Sequence, residues 1–126
     1  MKKVVHTPNA PKAVGTYNQA IEINNFIFTS GQVGLDPVNG TLVEGGMESE
    51  IKQVLKNIDL ILCDAGLSKS NIIKLTVFLI NLDQFSIVND VFKEFFGSVT
   101  FPARSTVEVS KLPLGALVEI ECIASR

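Results

Sequence analysis

From Ala20 to Thr29 two short apolar runs, Ala20-Ile21-Glu22-Ile23 and Phe26-Ile27-Phe28-Thr29, are separated by Asn24-Asn25. Asparagine tolerates the positive φ angles of a two-residue hairpin turn, so the pattern predicts a β-hairpin. Gly31 to Gly46 holds Asp36-Pro37, Asn39-Gly40 and Gly45-Gly46, turn formers that predict a loop about 15 residues long, a length common in functional or mobile loops. Met47, Ile51, Val54, Leu55, Ile58, Ile61, Leu62 and Ala65 then recur at the helical period, and Gly66 supplies a stop. Glu48 and Lys52 lie away from that stripe and read as a solvated face. Ile72 to Ile80 is a β-prone run with Ile73, Leu75, Val77 and Leu79 on one face and Lys74, Thr76, Phe78 and Ile80 on the other, which suits a central strand. Asp83 is placed to cap a second helix whose inner stripe is Phe85, Val88, Phe92, Phe95 and Phe96, ending at Gly97. Arg104 to Ser110 and Leu117 to Ser125 alternate apolar and polar positions on either side of Leu112-Pro113-Leu114-Gly115, as two half-buried strands do.

With an opening strand at Lys3 to His6, the order is β, β, β, α, β, α, β, β, without repeat or linker: one α/β or α+β domain over residues 1–126. Two amphipathic helices suffice to cover one face of a sheet of about six strands. The opposite face is left bare, yet Phe78 and Ile80 point to it, and an exposed apolar patch of that kind marks an interface. The pattern therefore predicts a homo-oligomer whose bare sheet faces pack together.

Composition narrows the function by exclusion. The chain carries 11 Lys plus Arg against 13 Asp plus Glu, a net charge of −2, and no basic cluster, so it lacks the electrostatic footprint of a nucleic-acid-binding protein. No apolar run reaches the roughly 20 residues that cross a bilayer, and Lys2-Lys3-Val4-Val5-His6 leads into Thr7-Pro8-Asn9 rather than a signal-like stretch, so the expected address is the cytoplasm. Cys63 and Cys122 belong to no CxxC, and with a single histidine they cannot complete a four-ligand zinc site. Both read as small core residues, and His6 as structural. Walker, GxGxxG and GxSxG motifs are absent.

The candidate chemistry is sparse. Of two arginines, Arg126 ends the chain and Arg104 opens a strand after Phe101-Pro102-Ala103. A guanidinium there could clamp a carboxylate with two parallel N–H···O bonds, or pair with an acid of its own chain. Glu119 and Glu121 share the face opposite the core set Val118, Ile120, Cys122 and Ala124. On an interface face such carboxylates need partners or a task, such as positioning water; an edge carboxylate is the plainer alternative. Arg104, Thr106 and Glu108 also share a face, but register is not fixed by sequence, and whether Arg104 meets Glu119 stays open. Tyr17, in Val14-Gly15-Thr16-Tyr17-Asn18, reads as a surface ring. At Ser30-Gly31-Gln32 glycine permits close backbone approach, to a ligand or merely in a turn.

Several segments occur together in order: Asn9-Ala10-Pro11, Val14-Gly15-Thr16-Tyr17, Thr29-Ser30-Gly31-Gln32, Thr76-Val77-Phe78-Leu79, Val88-Asn89, Phe101-Pro102-Ala103-Arg104-Ser105-Thr106-Val107-Glu108-Val109, Leu112-Pro113 and Val118-Glu119-Ile120-Glu121. On these the chain resembles, end to end, the RidA (YjgF) family of reactive-intermediate deaminases. The resemblance implies a chorismate-mutase-like fold, a homotrimer with a central barrel, and ligand clefts between neighbouring subunits. It also implies hydrolysis of enamines and imines released by pyridoxal-phosphate enzymes, 2-aminoacrylate or 2-aminocrotonate, to 2-oxo acids and ammonia without metal or cofactor. By position, Arg104 would clamp the substrate carboxylate and Glu119 would position or activate water. Tyr17 and Ser30 would line the pocket and support proton transfer, Gly31 would offer backbone contact, and Asn89 would shape the cleft. Many members carry cysteine two residues after the arginine; here it is Thr106, which rules out thiol chemistry there and leaves a hydroxyl and a backbone N–H for the ligand. Two other expectations compete: a 2-oxo-acid sensor that binds without turnover, and a ribonuclease or translation inhibitor.

Overall fold

A computed structural model describes residues 1–126. Strands β1 (Lys3–Val5), β2 (Ala20–Ile23), β3 (Phe26–Thr29) and β4 (Gln32–Val33) precede helix α1 (Gly46–Asp64); β5 (Ile72–Leu79), helix α2 (Phe85–Phe96), β6 (Ala103–Glu108) and β7 (Val118–Ser125) follow. They form one seven-stranded sheet in the order β1-β2-β3-β7-β5-β6, with β4 also on β7. Only β5 and β6 run parallel, and α2 is the crossover that their direction requires. The architecture is the mixed α+β single domain that the pattern predicts, with one more strand.

The hairpin forms as expected, with Ile23 opposite Phe26 and both turn asparagines at positive φ, 49° at Asn24 and 67° at Asn25. The loop from Gly31 to Gly46 is less irregular than its turn formers suggest. It gives up β4 to the sheet, and the fully buried Asn57 of α1 donates 2.9 Å to the carbonyl of Leu35. Seven apolar stripe residues of α1, from Met47 to Leu62, are buried. Glu50 is buried beside them, its Oε1 accepting the N–H of Leu117 at 2.9 Å, a core carboxylate with an assigned partner.

Four expectations are corrected. Ile73 is exposed, because a register shift between Ile72 and Lys74 rotates it out of the face shared by the fully buried Leu75, Val77 and Leu79. Asn81, not Asp83, caps the second helical segment: its side chain accepts the N–H of Asp83 at 3.0 Å and starts a 3₁₀ turn at Leu82–Gln84 ahead of α2. The extra turn leaves Phe85 half exposed, so the α2 core face is Val88, Val91, Phe92 and Phe96. Cys63 is exposed near the end of α1. Cys122 is buried as expected, and burial pushes its thiol up to about 12.

Both helices lie on one side of the sheet, and the other side is bare. Cross-strand partners carry Val4, Ile21, Phe28 and Ile123 across that bare face, and Val107, Phe78 and Glu119 across it further along. Val4, Phe26, Phe28 and Val107 are each 40% exposed or more. These are two apolar patches without a cover, divided by the row of Glu121, Thr76 and Ser105.

Candidate active site

Residues paired across a sheet share a face, so register decides which candidates converge. Arg104 pairs with Leu75 and Thr106 with Val77, both fully buried under the helices, which puts Arg104 and Thr106 on the helix side. Glu119 pairs with Phe78, on the bare side. Strand β5 lies between them and their partners on it are three residues apart, so the two residues are about 14 Å apart and point to opposite faces. Within one chain Arg104 and Glu119 do not meet.

The helix-side group is built on α2 and β6. Parallel pairing brings the start of β6 under α2, and the Arg104 guanidinium lies 5.5 Å from the centre of the Phe92 ring. Phe92 packs edge-on against Phe96 at 5.8 Å, and Phe96 against Phe101 at 6.1 Å, an aromatic row that fixes the wall beneath the arginine. A cavity of about 400 Å³ opens here, lined by Asn89, Phe92, Lys93, Phe101, Pro102 and Arg104. Arg104 enters none of the ion pairs of the fold: Lys52 pairs with Glu48 and Glu94, and Arg126 with Glu22. The intramolecular pairing that the sequence left open is therefore not made. Two residues along the same face, the Thr106 Oγ1 is buried and has no hydrogen-bond partner, an orphan hydroxyl that costs free energy until something meets it. Asn89 joins this wall. Phe92, Lys93 and Phe101 were not legible as site residues: Phe92 read as core, and its ring serves both purposes.

The bare-side group is built on the ends of β3 and β7. Buried Gln19 ties the N-terminal segment down, accepting the N–H of Thr7 at 2.7 Å and donating to the carbonyls of Thr7 and Pro11. Tyr17 and Asn18 directly precede that anchor in the chain. The Ser30 hydroxyl donates 2.6 Å to the carbonyl of Asn18, which holds Tyr17 and Ser30 on one stretch of surface. Tyr17 is half exposed, and its hydroxyl accepts the N–H of Val14 at 3.3 Å. Gly31 sits against Glu119: a Cβ there would come within 2.8 Å of the carboxyl carbon. Replacing Gly31 by alanine is expected to leave the fold intact and push the Glu119 carboxylate aside. Unchanged unfolding curves with at least tenfold lower activity in the assay below would check this.

The Glu119 carboxyl is held above the usual carboxylate range, first because burial strips its water and then because Glu121 places a like charge on the same face. A raised acid binds its proton more tightly in the folded state. Its contribution to stability is present below the ordinary carboxylate pKa and is lost as pH rises through the higher value of Glu119.

Comparison with known proteins identifies the family. The family model described as Endoribonuclease L-PSP matches residues 7–126. The Rid-family protein YyfA from Yersinia pestis has a fold that superposes with a TM-score of 0.97 at 51% identity, covering all of both chains. Escherichia coli TdcF, solved with bound serine, gives 0.93 at 39% identity over 98% of each chain. The bovine 2-iminobutanoate/2-iminopropanoate deaminase is 48% identical over 124 residues, 98% of this chain and 90% of that protein. The chain thus belongs to the Endoribonuclease L-PSP family, the RidA (YjgF) family of its motif resemblance. No helix is long and apolar enough to cross a membrane.

Proposed function

We propose that the protein is a 2-iminobutanoate/2-iminopropanoate deaminase that works as a homotrimer, with each site made by two subunits. The observation that carries the reading is the unpaired Arg104 guanidinium on the wall of a cavity, in a chain nearly half identical to a deaminase of that name. A planar 2-imino acid needs one bidentate anchor to fix its orientation, and Arg104 supplies it. The rest is addition of water. Glu119 accepts a proton from water as the oxygen bonds to C2 and the C=N electron pair moves to nitrogen. The carbinolamine then collapses, the C–N bond breaks, and ammonia leaves with the returned proton and a 2-oxo acid remains. Atoms balance with water alone, so the chemistry calls for no metal or cofactor.

The opposite faces of Arg104 and Glu119 support the trimer. A neighbouring copy packed on the bare apolar face would bring its own Arg104, Thr106 and Asn89 to the Glu119, Gly31, Ser30 and Tyr17 of the first. The Tyr17 and Ser30 hydroxyls then line the cleft as proton relays, and the orphan Thr106 hydroxyl meets the ligand. The reading places the protein in the cytoplasm, beside the pyridoxal-phosphate enzymes that release such imines.

Coupling threonine dehydratase to the protein and following 2-oxobutanoate release tests the activity. Faster release is expected, and an unchanged rate overturns the reading in favour of a ligand sensor. RNA cleavage that survives Arg104→Ala would favour the ribonuclease alternative. A pH series adds a second check. Glu119 must be ionised to act as base, so activity is expected to rise with pH through a midpoint above the ordinary carboxylate pKa. Glu121→Gln removes the like charge and moves that midpoint downward; an upward or absent shift would exclude Glu119 as the titrating base.

A further inference from the structure

Lys93 stands one helical turn after Asn89 on α2, so the two side chains project side by side into the cavity that Arg104 also lines. Neither cation has an ion-pair partner, since the fold's pairs are those of Lys52 and Arg126. No acidic residue of the same chain lines the cavity, and the one carboxylate that a neighbouring copy would bring, Glu119, is engaged with the attacking water. Two free positive charges thus face one small cavity in a chain whose net charge is −2. A 2-imino acid with a neutral side chain brings a single carboxylate, which the planar fork of Arg104 satisfies by itself. The ammonium of Lys93 is then left over, on a four-carbon stem that can follow an anion over several ångströms.

We propose that Lys93 is a specificity-determining residue that makes the site prefer 2-imino and 2-oxo dicarboxylic acids of four or five carbons. The carboxylate next to C2 lies on Arg104 and the distal one on Lys93. The inference rests on the deaminase reading for the place of the first carboxylate, and the hydrolysis at C2 is the same. A plainer role for Lys93 is a favourable charge in the last turn of α2, where its carbonyl already accepts the N–H of Gly97. That role touches helix stability and is indifferent to the ligand, so ligand selectivity separates the two.

The test is calorimetric titration of the assembled protein with 2-oxobutanoate and with 2-oxobutanedioate, together with turnover of the matching imines. Threonine dehydratase supplies the first imine and a flavin-dependent aspartate oxidase the second. Wild type is expected to bind the dicarboxylate about tenfold more tightly than the monocarboxylate at low salt, with the preference shrinking as ionic strength rises. Lys93→Gln should bring the ratio close to one, Lys93→Arg should keep most of it, and Lys93→Glu should invert it. A ratio that Lys93→Gln leaves unmoved, or a wild type that prefers the monocarboxylate, overturns the proposal. Binding with the expected ratio but no acceleration of either imine would remove the deaminase reading and leave the selectivity standing. Acceleration with an unmoved ratio would do the reverse.

Discussion

Arg104→Ala is expected to lower kcat/KM for 2-iminobutanoate about a thousandfold, on the order of 4 kcal/mol of transition-state stabilisation. Two effects combine. The substrate loses a pair of charge-assisted hydrogen bonds, and it also loses the anchor that holds C2 in line with the attacking water. The fold should not suffer, because Arg104 is exposed at the start of an edge strand, with no ion pair to break and only the Phe92 face beneath it. Circular dichroism and the urea midpoint should therefore match wild type while the coupled assay collapses. Arg104→Lys should fall between the two, since an ammonium restores charge without the planar fork. A loss of less than threefold in the alanine variant would remove Arg104 from the machinery.

Mixing two inactive variants is expected to restore activity. In Arg104→Ala one half of every site is damaged, and in Glu119→Gln the other half. If each site takes Arg104 from one subunit and Glu119 from its neighbour, then in trimers re-formed from an equal mixture each half is intact half the time, independently. About a quarter of the sites should be whole, so the mixture should show about a quarter of wild-type activity. Each parent re-formed alone should stay inactive. A site contained within one chain gives no recovery at any ratio, so the experiment decides between the two arrangements. The expectation follows from the register: Glu119 opposite Phe78, and Arg104 opposite Leu75, leave the two on different faces.

Much of this was legible in the linear pattern, for physical reasons that act locally. Asn24-Asn25 announced a hairpin because few residues adopt positive φ cheaply, and both do so here. The apolar stripe of α1 announced its buried face because a helix repeats every 3.6 residues whatever lies beneath it. Val118 to Ala124 announced which side of β7 is core, and with it that Glu119 and Glu121 face away. The errors fell where a local rule met a tertiary one. Strict alternation put Ile73 inside, and a bulge needed to keep β5 in register with β7 turned it out. Asp83 looked like a cap because its residue type suits one, while the turn at Leu82–Gln84 gave that task to Asn81. Cys63 looked like core by its neighbours, yet its position around α1 falls outside the buried stripe.

The candidate site divides the same way. Sequence by itself determined which residues are chemically able to act: one interior guanidinium, a carboxylate facing away from the core, a glycine small enough to sit against it, and a threonine two residues after the arginine. Periodicity also settled the two helices, the hairpin and the bare face, since each depends on neighbours a few positions away. Which of those residues share a face was decided only by tertiary structure. The sheet places β7, β5 and β6 side by side although they are distant in the chain, and one step of register reverses every side chain. The cavity walled by Phe92, Phe101 and Lys93 exists only because a parallel crossover lays α2 over the start of β6. That juxtaposition depends on long-range packing, which no pattern within either segment encodes.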